Sequence, residues 1–280
     1  MIIFLKKLYR WSFRTVIGRV VSTALAVAVW VLIWHAGATE MNEPLLLPTP
    51  STVLIRLGEL CATTAFWQHA LYSLLRVLGG IVLGVLFAII TAVLTALLPP
   101  VHTLLRPVIA TVKSTPVASF IILVMLWTHE DILPVVISSL MVFPIVWANL
   151  HTGIRAIPNP YLEMARVYRL PLGRRIRRIY IPSVLPYFLS ACESALGLAW
   201  KAGIAAEVLA PATRSIGKHL YESKLYLETT DLFAWTLVVI VLSILLERLA
   251  NLIFKRWQIK SNKASLHTEA ASDTTREVLS

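Results

Sequence analysis

Charged residues occur inside apolar segments of this sequence, where a charge needs a functional or structural reason. Lys201 lies in the middle of an apolar run from Pro182 to Ala212 that also contains Glu193 and Glu207. At about 100° per residue, Lys201 would point about 80° away from Glu193 and about 120° away from Glu207, so it has no good partner on its own helix. We expect Lys201 to face another helix, a partner protomer or a wet cavity, where an anionic substrate could bind.

The sequence offers further candidates for a solute pathway, each with a structural alternative. Trp200 adjoins Lys201, and Lys113 lies in an earlier apolar run, near an end from which its ammonium can reach the membrane surface. Glu207 would either shape an external gate or accept local hydrogen bonds, and Lys201 itself could form a structural ion pair. The turn His129 to Asp131 is interpreted as solvated rather than metal-binding, because adjacent residues rarely converge on one ion. No nucleophile and base are arranged for catalysis, so no catalytic residue is assigned and the chain is not expected to be an enzyme.

The elements that position these residues are membrane helices. The 280-residue chain is 57% hydrophobic, with a mean hydropathy of +0.73, which is more apolar surface than a soluble domain of this size could bury. A span needs about 20 mostly apolar residues. Six segments qualify, at residues 20–38, 77–98, 107–128, 132–150, 182–212 and 232–254.

The distribution of Lys and Arg predicts the orientation of these spans. Residues 1–19 hold five basic residues, whereas residues 39–70 hold Arg56 against three glutamates. Residues 151–181 hold seven arginines, and residues 255–263 are basic again. Because basic loops stay on the cytoplasmic side, the pattern predicts both termini inside, with residues 1–19 as a cytoplasmic N-terminus.

The remaining segments give smaller predictions. The first apolar run is interpreted as a retained helix rather than a cleaved signal peptide. Ser51 is predicted to cap a short surface helix over residues 53–61. Residues 257–280 are polar and are predicted to form a disordered cytoplasmic tail. Cys61 and Cys192 lie in segments of different character, so no disulfide is expected.

The arginine-rich loop at residues 155–181, between the fourth and fifth spans, divides into two predicted amphipathic helices. Residues Tyr161, Leu162, Ala165 and Tyr168 share one face of the first, and residues Leu172, Ile176, Ile179 and Tyr180 share one face of the second, with arginines opposite. Pro171 suits the first turn of the second helix, and Gly173 keeps the turn loose. One reading of this loop is a cationic surface lying on anionic lipid.

A second reading follows from a resemblance. Glu163, Ala165, Ile181 and Pro182 resemble, in type and spacing, the EAA loop of permease subunits of bacterial ATP-binding cassette (ABC) importers. Arg169 stands where that pattern has glycine, which suggests that the bend has moved to residues 170–173. The resemblance assigns contact with an ATPase subunit to this segment; its candidate residues are Glu163, Ala165, Arg166, Tyr168, Arg169, Leu170, Gly173 and Pro182.

The resemblance extends over roughly residues 20–256. Its supporting segments are residues 47–50, 113–116, 185–186, 195–200, 205–207 and 215–217, and it is to the branch serving nitrate, sulfonate, taurine and bicarbonate importers and related thiamine-precursor systems. It implies an all-α membrane protein with about six transmembrane helices, N-in/C-in, and the type I ABC importer permease fold with a cytoplasmic coupling helix. It also implies a cytoplasmic-membrane location and a homodimer in the lipid bilayer.

The same resemblance implies two partners, a cytoplasmic ATPase subunit and an extracytoplasmic solute-binding protein. No cofactor is expected on this chain, because it lacks the G-x-x-x-x-G-K-[ST] phosphate loop; ATP and Mg would bind to the ATPase. A secondary transporter would need its own coupling-ion site and often shows inverted repeats, which are not seen. A non-transporting scaffold would use the loop only as a lipid anchor. Nucleic-acid binding is not expected, since no binding motif accompanies the charge of +11.

Overall fold

All regular structure in the described part of the chain is helical in the computed structural model. It describes the backbone of residues 16–277 and the side chains of residue 18 and residues 20–256, so most of the predicted cytoplasmic N-terminus lies outside the described residues. The helices are α1 (Val16–Met41), α2 (Pro50–Cys61), α3 (Thr64–Leu97), α4 (Pro99–Ser114), α5 (Val117–Met125), α6 (Leu133–Arg155), α7 (Asn159–Val167), α8 (Leu172–Arg175), α9 (Ile181–Leu209), α10 (Ile216–Leu225) and α11 (Thr229–Glu277).

Five helical segments are long and apolar enough to cross a membrane. They cover Val20–Met41, Thr64–Leu97, Leu133–Arg155, Leu172–Leu209 and Thr229–Arg256. The predicted third span at 107–128 is wrong as a continuous helix, because α4 and α5 meet at 105°. Pro116 explains the break: it disfavours helical backbone at the preceding residue, and Thr115 is extended at φ −81° and ψ 134°. The pair counts as a sixth span only if both halves belong to one broken crossing.

One compact unit contains residues 1–66 and 222–237. In its described part, Thr49 caps α2 by accepting a hydrogen bond from the Thr52 N–H at 3.4 Å, with Pro50 in the first turn. The predicted cap at Ser51 is therefore wrong, because the helix begins earlier than the apolar pattern indicates. Arg56 holds Asp231 with two hydrogen bonds of 2.6 and 2.9 Å. These bonds to carboxylates, first Asp231 and then Glu59, raise the pKa of the Arg56 guanidinium above its ordinary value.

The second unit contains residues 67–221 and 238–280, and its described core is built on small residues. A Cβ on Gly80 would lie 2.4 Å from the Val135 carbonyl oxygen, and a Cβ on Gly84 would lie 2.7 Å from the Ser139 carbonyl oxygen. The backbones of α3 and α6 therefore approach closely along a stripe that continues through buried Ala88. Small residues stabilise membrane helix pairs in this way, because lipid gives no hydrophobic drive for association.

Helices α6 and α9 pack against each other extensively. Buried alanines of α9 supply its half of the contact: Ala191, Ala195, Ala199, Ala202 and Ala206. They pack against larger side chains of α6, among them Val142, Val146 and Leu150. The pairing of small with large residues holds α6 and α9 together along most of their length.

The last helix, α11, has helical backbone as far as Glu277. The sequence predicts disorder over residues 257–280, whereas the backbone is helical as far as residue 277. The side chains of 257–277 and all of 278–280 lie outside the described residues, so the cytoplasmic tail stays a prediction.

Candidate functional site

We call the arginine-rich loop at residues 155–181 the coupling loop. Its first helix, α7, is anchored on one side and exposed on the others. Ala165 is 3% exposed and packs in a cluster with Ile157, at the end of α6, and Ile179, just before α9. Glu163 and Arg166 are exposed. The anchoring alanine leaves little room for a larger side chain, while the charged positions are free to meet a partner.

The chain leaves α7 through a left-handed residue at the position where a glycine is expected. Arg169 has φ +46°. Its N–H donates to the Arg166 carbonyl at 3.1 Å, and the Leu170 N–H donates to the Ala165 carbonyl at 3.0 Å. This pair of hydrogen bonds is a Schellman C-cap, whose left-handed position glycine usually fills. The expectation that the bend moves to residues 170–173 is therefore wrong: Arg169 adopts the bend itself.

Gly173 does not loosen the turn, because it lies within α8 and has no positive φ. Helix α8 is also not a separate element: it continues through a π-helical turn at Ile176–Tyr180 into α9. The π turn ends with the Ile181 N–H bonded to the Ile176 carbonyl. Pro182, which follows, lacks an N–H and would clash with a carbonyl in regular helix, so the wider turn before it is physically reasonable.

The coupling loop presents an apolar surface that the described part of the chain does not cover. Val167, Tyr168 and Leu172 are 77%, 73% and 76% exposed. Of the two predicted apolar faces, Ala165 and Ile179 are buried, whereas Tyr168 and Leu172 are not, because the turn at Arg169 and the π turn change the phase of the helices. Large exposed side chains among arginines are typical of a surface that binds another protein.

The charged candidates within the spans face two different environments. Trp200 is fully buried and donates from Nε1 to the Val239 carbonyl at 3.1 Å, so it packs α9 against α11. Lys201, Glu193 and Lys113 are exposed on the single chain. A charged side chain that faces lipid is costly. We therefore expect these three exposed side chains to face water, a ligand or a second chain.

Glu207 is the centre of a buried hydrogen-bond network near one end of α9. It is fully buried, and its Oε2 accepts from the Ser73 hydroxyl at 2.7 Å and from the Gly217 N–H at 3.2 Å. Ser73 accepts in turn from the Ile216 N–H at 2.9 Å. A Cβ on Gly217 would lie 2.2 Å from the Glu207 Cβ, so only glycine fits there. The carboxylate thus binds the first turn of α10, where helical N–H groups favour negative charge.

An arginine that the sequence analysis did not select completes this network. The Arg76 guanidinium lies 3.8 Å from Glu207 Oε1, and its Nη2 donates to Asp131 at 2.6 Å and to the Thr213 carbonyl at 2.7 Å. Asp131 also accepts from the Thr213 N–H at 3.0 Å. Asp131 is therefore a bridging group rather than part of a merely solvated turn. The sequence indicated the role of Arg76 only by its place, directly before the predicted span at residues 77–98.

The sequence matches the family described as binding-protein-dependent transport system inner membrane component over residues 80–259. It is 35% identical over 229 residues to the putative aliphatic sulfonates transport permease protein SsuC of Escherichia coli, covering 80% of this chain and 83% of that one. It is 31% identical over 236 residues to the riboflavin transport system permease protein RibX of Chloroflexus aurantiacus, covering 81% and 87%. It is 26% identical over 246 residues to the taurine transport system permease protein TauC of Escherichia coli, covering 85% and 88%.

A solved structure described as an amino acid ABC transporter with histidines has a TM-score of 0.58 and 17% identity, covering 71% of this chain and 97% of that one. At this identity the likeness concerns the fold. The matched family spans more than half of the chain, and five helices are long and apolar enough to cross a membrane. The chain belongs to the family of binding-protein-dependent transport system inner membrane components, and it is a multi-pass permease subunit of an ABC importer in the cytoplasmic membrane.

Proposed function

We propose that this permease imports a small organic anion and is driven through its coupling loop by a separate ATPase subunit. The observation that carries the docking proposal is the exposed surface of α7 and α8, with Glu163 and Arg166 beside apolar Tyr168 and Leu172. The basic character of this loop supports a cytoplasmic location for it. ATP and Mg bind to the partner, and the solute-binding protein acts at the opposite face of the membrane.

The packing around α7 explains how a movement of the ATPase reaches the membrane. Ala165 lies between Ile157, which follows α6, and Ile179, which precedes α9. A Cβ on Gly153 would lie 2.9 Å from the Tyr187 ring, so α6 and α9 are also in close contact here. A force on α7 therefore acts on the ends of both helices together. Because α8 runs without a break into α9, the same force is carried along the fifth span.

The alternating states follow from this connection. ATP binding favours an outward-facing arrangement and hydrolysis resets it, since each ligand shifts the balance only by binding one state better. The pathway lies between two copies of the chain in a homodimer. Exposed Lys201, together with Glu193 and Lys113, faces this interface or its water-filled space, whereas buried Trp200 and Glu207 hold the helices that form it.

Lys201 is the residue proposed to attract the substrate. It is a cation in the middle of an apolar span and is exposed on the single chain, which is costly unless an anion or water is present. The relatives named for aliphatic sulfonates and taurine support a sulfonate as that anion. A second candidate is a larger neutral organic solute, such as a vitamin or a thiamine precursor, which is supported by the relative named for riboflavin.

Copurification tests the docking proposal. The tagged permease is expressed with its cognate ATPase subunit, extracted in detergent and purified. Wild type is expected to retain the ATPase, and Glu163→Arg is expected to lose it, because the change replaces an acidic group by a basic one in a loop that already holds seven arginines. Glu228→Arg reverses an exposed carboxylate outside the coupling loop and should retain the ATPase. If Glu163→Arg and Glu228→Arg copurify with the same amount of ATPase subunit, Glu163 does not take part in docking.

Uptake tests the substrate. Proteoliposomes with the complete importer are supplied with radiolabelled taurine or methanesulfonate, with riboflavin as the neutral alternative. For an anion, Lys201→Arg is expected to retain uptake and Lys201→Met to lose it, while ATP hydrolysis without substrate is unchanged. If the importer takes up riboflavin but neither anion, and Lys201→Arg and Lys201→Met take it up equally, the proposal of an anionic substrate is refuted.

A further inference from the structure

Two opposite charges lie in neighbouring spans of the second unit. Lys201 belongs to α9 and Glu247 to α11, and both side chains are exposed on the single chain. Lys201 lies on a stripe of α9 that also contains exposed Ser190 and Ser194 and half-buried Gly197. A polar stripe in an otherwise apolar span indicates a surface that does not face lipid.

Glu247 makes a close contact with this stripe. A Cβ built on Gly197 would lie 2.6 Å from Glu247 Oε1 and 3.6 Å from its Cδ. Gly197 has no positive φ, so the backbone does not require a glycine at this position. A larger side chain at this position would displace the Glu247 carboxylate, because it would occupy the space that Oε1 fills.

The contact places the carboxylate one helical turn from Lys201. Four residues correspond to a rise of about 6 Å and a rotation of about 40° from Gly197 to Lys201. A lysine side chain in a helix leans toward the N-terminus, which here is the direction of Gly197. The Lys201 ammonium and the Glu247 carboxylate can therefore meet over Gly197 by changes of side-chain rotamer alone.

The ion pairs among the described side chains involve Arg56 and Arg76 and do not include Lys201. The two carboxylates nearest to Lys201 in sequence are less suitable as partners. Glu193 is about 12 Å lower on α9 and about 80° around it, and Glu207 is buried and bonded to Ser73 and Gly217. Glu247 is thus the carboxylate within side-chain reach of Lys201, and the described ion pairs include no fixed bond between the two.

We propose that Glu247 is the exchangeable counter-ion of Lys201 and that the anionic group of the substrate replaces it during transport. This inference rests on the proposed import of an anion. With no substrate, the carboxylate neutralises Lys201 in a medium where a lone charge is costly. A substrate anion then competes with Glu247, so the site releases its ligand more readily than an unopposed lysine would.

Binding of methanesulfonate by the purified permease–ATPase complex in lipid nanodiscs tests the proposal, with the shift of the unfolding midpoint as the signal. Glu247→Gln removes the competitor and is expected to lower the Kd for methanesulfonate about tenfold, the scale of two unit charges about 10 Å apart at an effective dielectric constant of about 20. Gly197→Ala displaces the Glu247 carboxylate and should also lower the Kd for methanesulfonate. Gly79→Ala, at a glycine with nothing within 4 Å of its Cβ, and Glu130→Gln should match wild type.

A double-mutant comparison measures the pairing without substrate. Lys201→Met alone leaves Glu247 uncompensated and is expected to lower the unfolding midpoint, and adding Glu247→Gln should restore it. Independent, additive shifts would overturn the pairing. If Lys201→Met abolishes methanesulfonate binding but Glu247→Gln leaves the Kd unchanged, the counter-ion proposal fails while anion import stands. If wild type binds no methanesulfonate, taurine or sulfate, anion import fails, and the counter-ion exchange fails with it.

Discussion

Replacing Arg169 with glycine should stabilise the coupling loop, even though it removes a large side chain. Arg169 has φ +46° and closes a Schellman cap with the Leu170 N–H on the Ala165 carbonyl. Its side chain is exposed, so no packing is lost on substitution. The backbone is the main quantity that changes.

Two opposing terms set the size of the effect. Left-handed backbone costs a residue with a Cβ about 1–2 kcal/mol, and glycine avoids this cost. Glycine in turn loses about 0.5–1 kcal/mol more backbone entropy on ordering. The net gain for Arg169→Gly is about 0.5–1 kcal/mol, which corresponds to a two- to fivefold decrease in opening of the loop.

Hydrogen exchange of the Leu170 amide is the most direct assay, because this N–H closes the cap. In the full-length protein in nanodiscs, its protection should rise two- to fivefold for Arg169→Gly. Arg169→Asn should fall between glycine and wild type, since asparagine tolerates left-handed backbone better than most residues. Arg169→Ala keeps the backbone cost without the charge, so its protection should stay close to that of wild type.

The order of this series can refute the reasoning. If alanine protects as well as glycine, relief of charge repulsion among the arginines, rather than backbone strain, explains the gain. Gly173, four residues later, is a glycine that the backbone does not need, because it is helical. Nothing lies within 4 Å of its Cβ, so Gly173→Ala should stabilise α8 by about 0.5–1 kcal/mol. Loss of protection in Gly173→Ala would show that a flexible hinge exists there after all.

Three further predictions concern packing and polar contacts. Gly80→Ala should destabilise the protein by more than about 2 kcal/mol, because its Cβ would meet backbone 2.4 Å away, whereas Gly79→Ala, whose Cβ would meet nothing within 4 Å, should not lower the unfolding midpoint. Ser73→Ala removes one partner from two buried polar groups and should cost about 1–3 kcal/mol, measured by thermal unfolding in detergent. Arg56→Lys loses the two-pronged contact with its carboxylate and, being partly exposed, should cost only about 0.5 kcal/mol by the same measurement.

The sequence was sufficient for features that depend on composition and local pattern. The spans, the arginine-rich loop and the family resemblance follow from apolar length, charge and motif spacing, and the helical fold and family are confirmed. Local geometry was harder. The break at Pro116 lies in a run that is apolar on both sides of residues 113–115, so hydropathy joined two helices that the backbone separates.

The contacts between distant residues could not be predicted from one sequence. Arg76 and Glu207 are separated by more than a hundred positions, and nothing in either local pattern indicates that α10 brings a backbone N–H between them. Gly217 appeared only as part of a family-like segment, although its lack of a Cβ is what allows Glu207 to reach α10. Such requirements become visible only when the atoms across a contact are known.

The two ends of α9 suggest why its charged residues differ so much in environment. At one end, α9 continues from the coupling loop, where exposed groups are available to the ATPase; at the other, buried Glu207 binds α10 through Gly217 and α3 through Ser73. A helix pushed at one end and fixed at the other must tilt or rotate rather than slide. Lys201 lies between these ends, about six turns from the π turn and about two turns from Glu207. A tilt of α9 about its Glu207 end would therefore change the surroundings of Lys201 without breaking the Glu207 contacts, and a movement of this kind suits an alternating site.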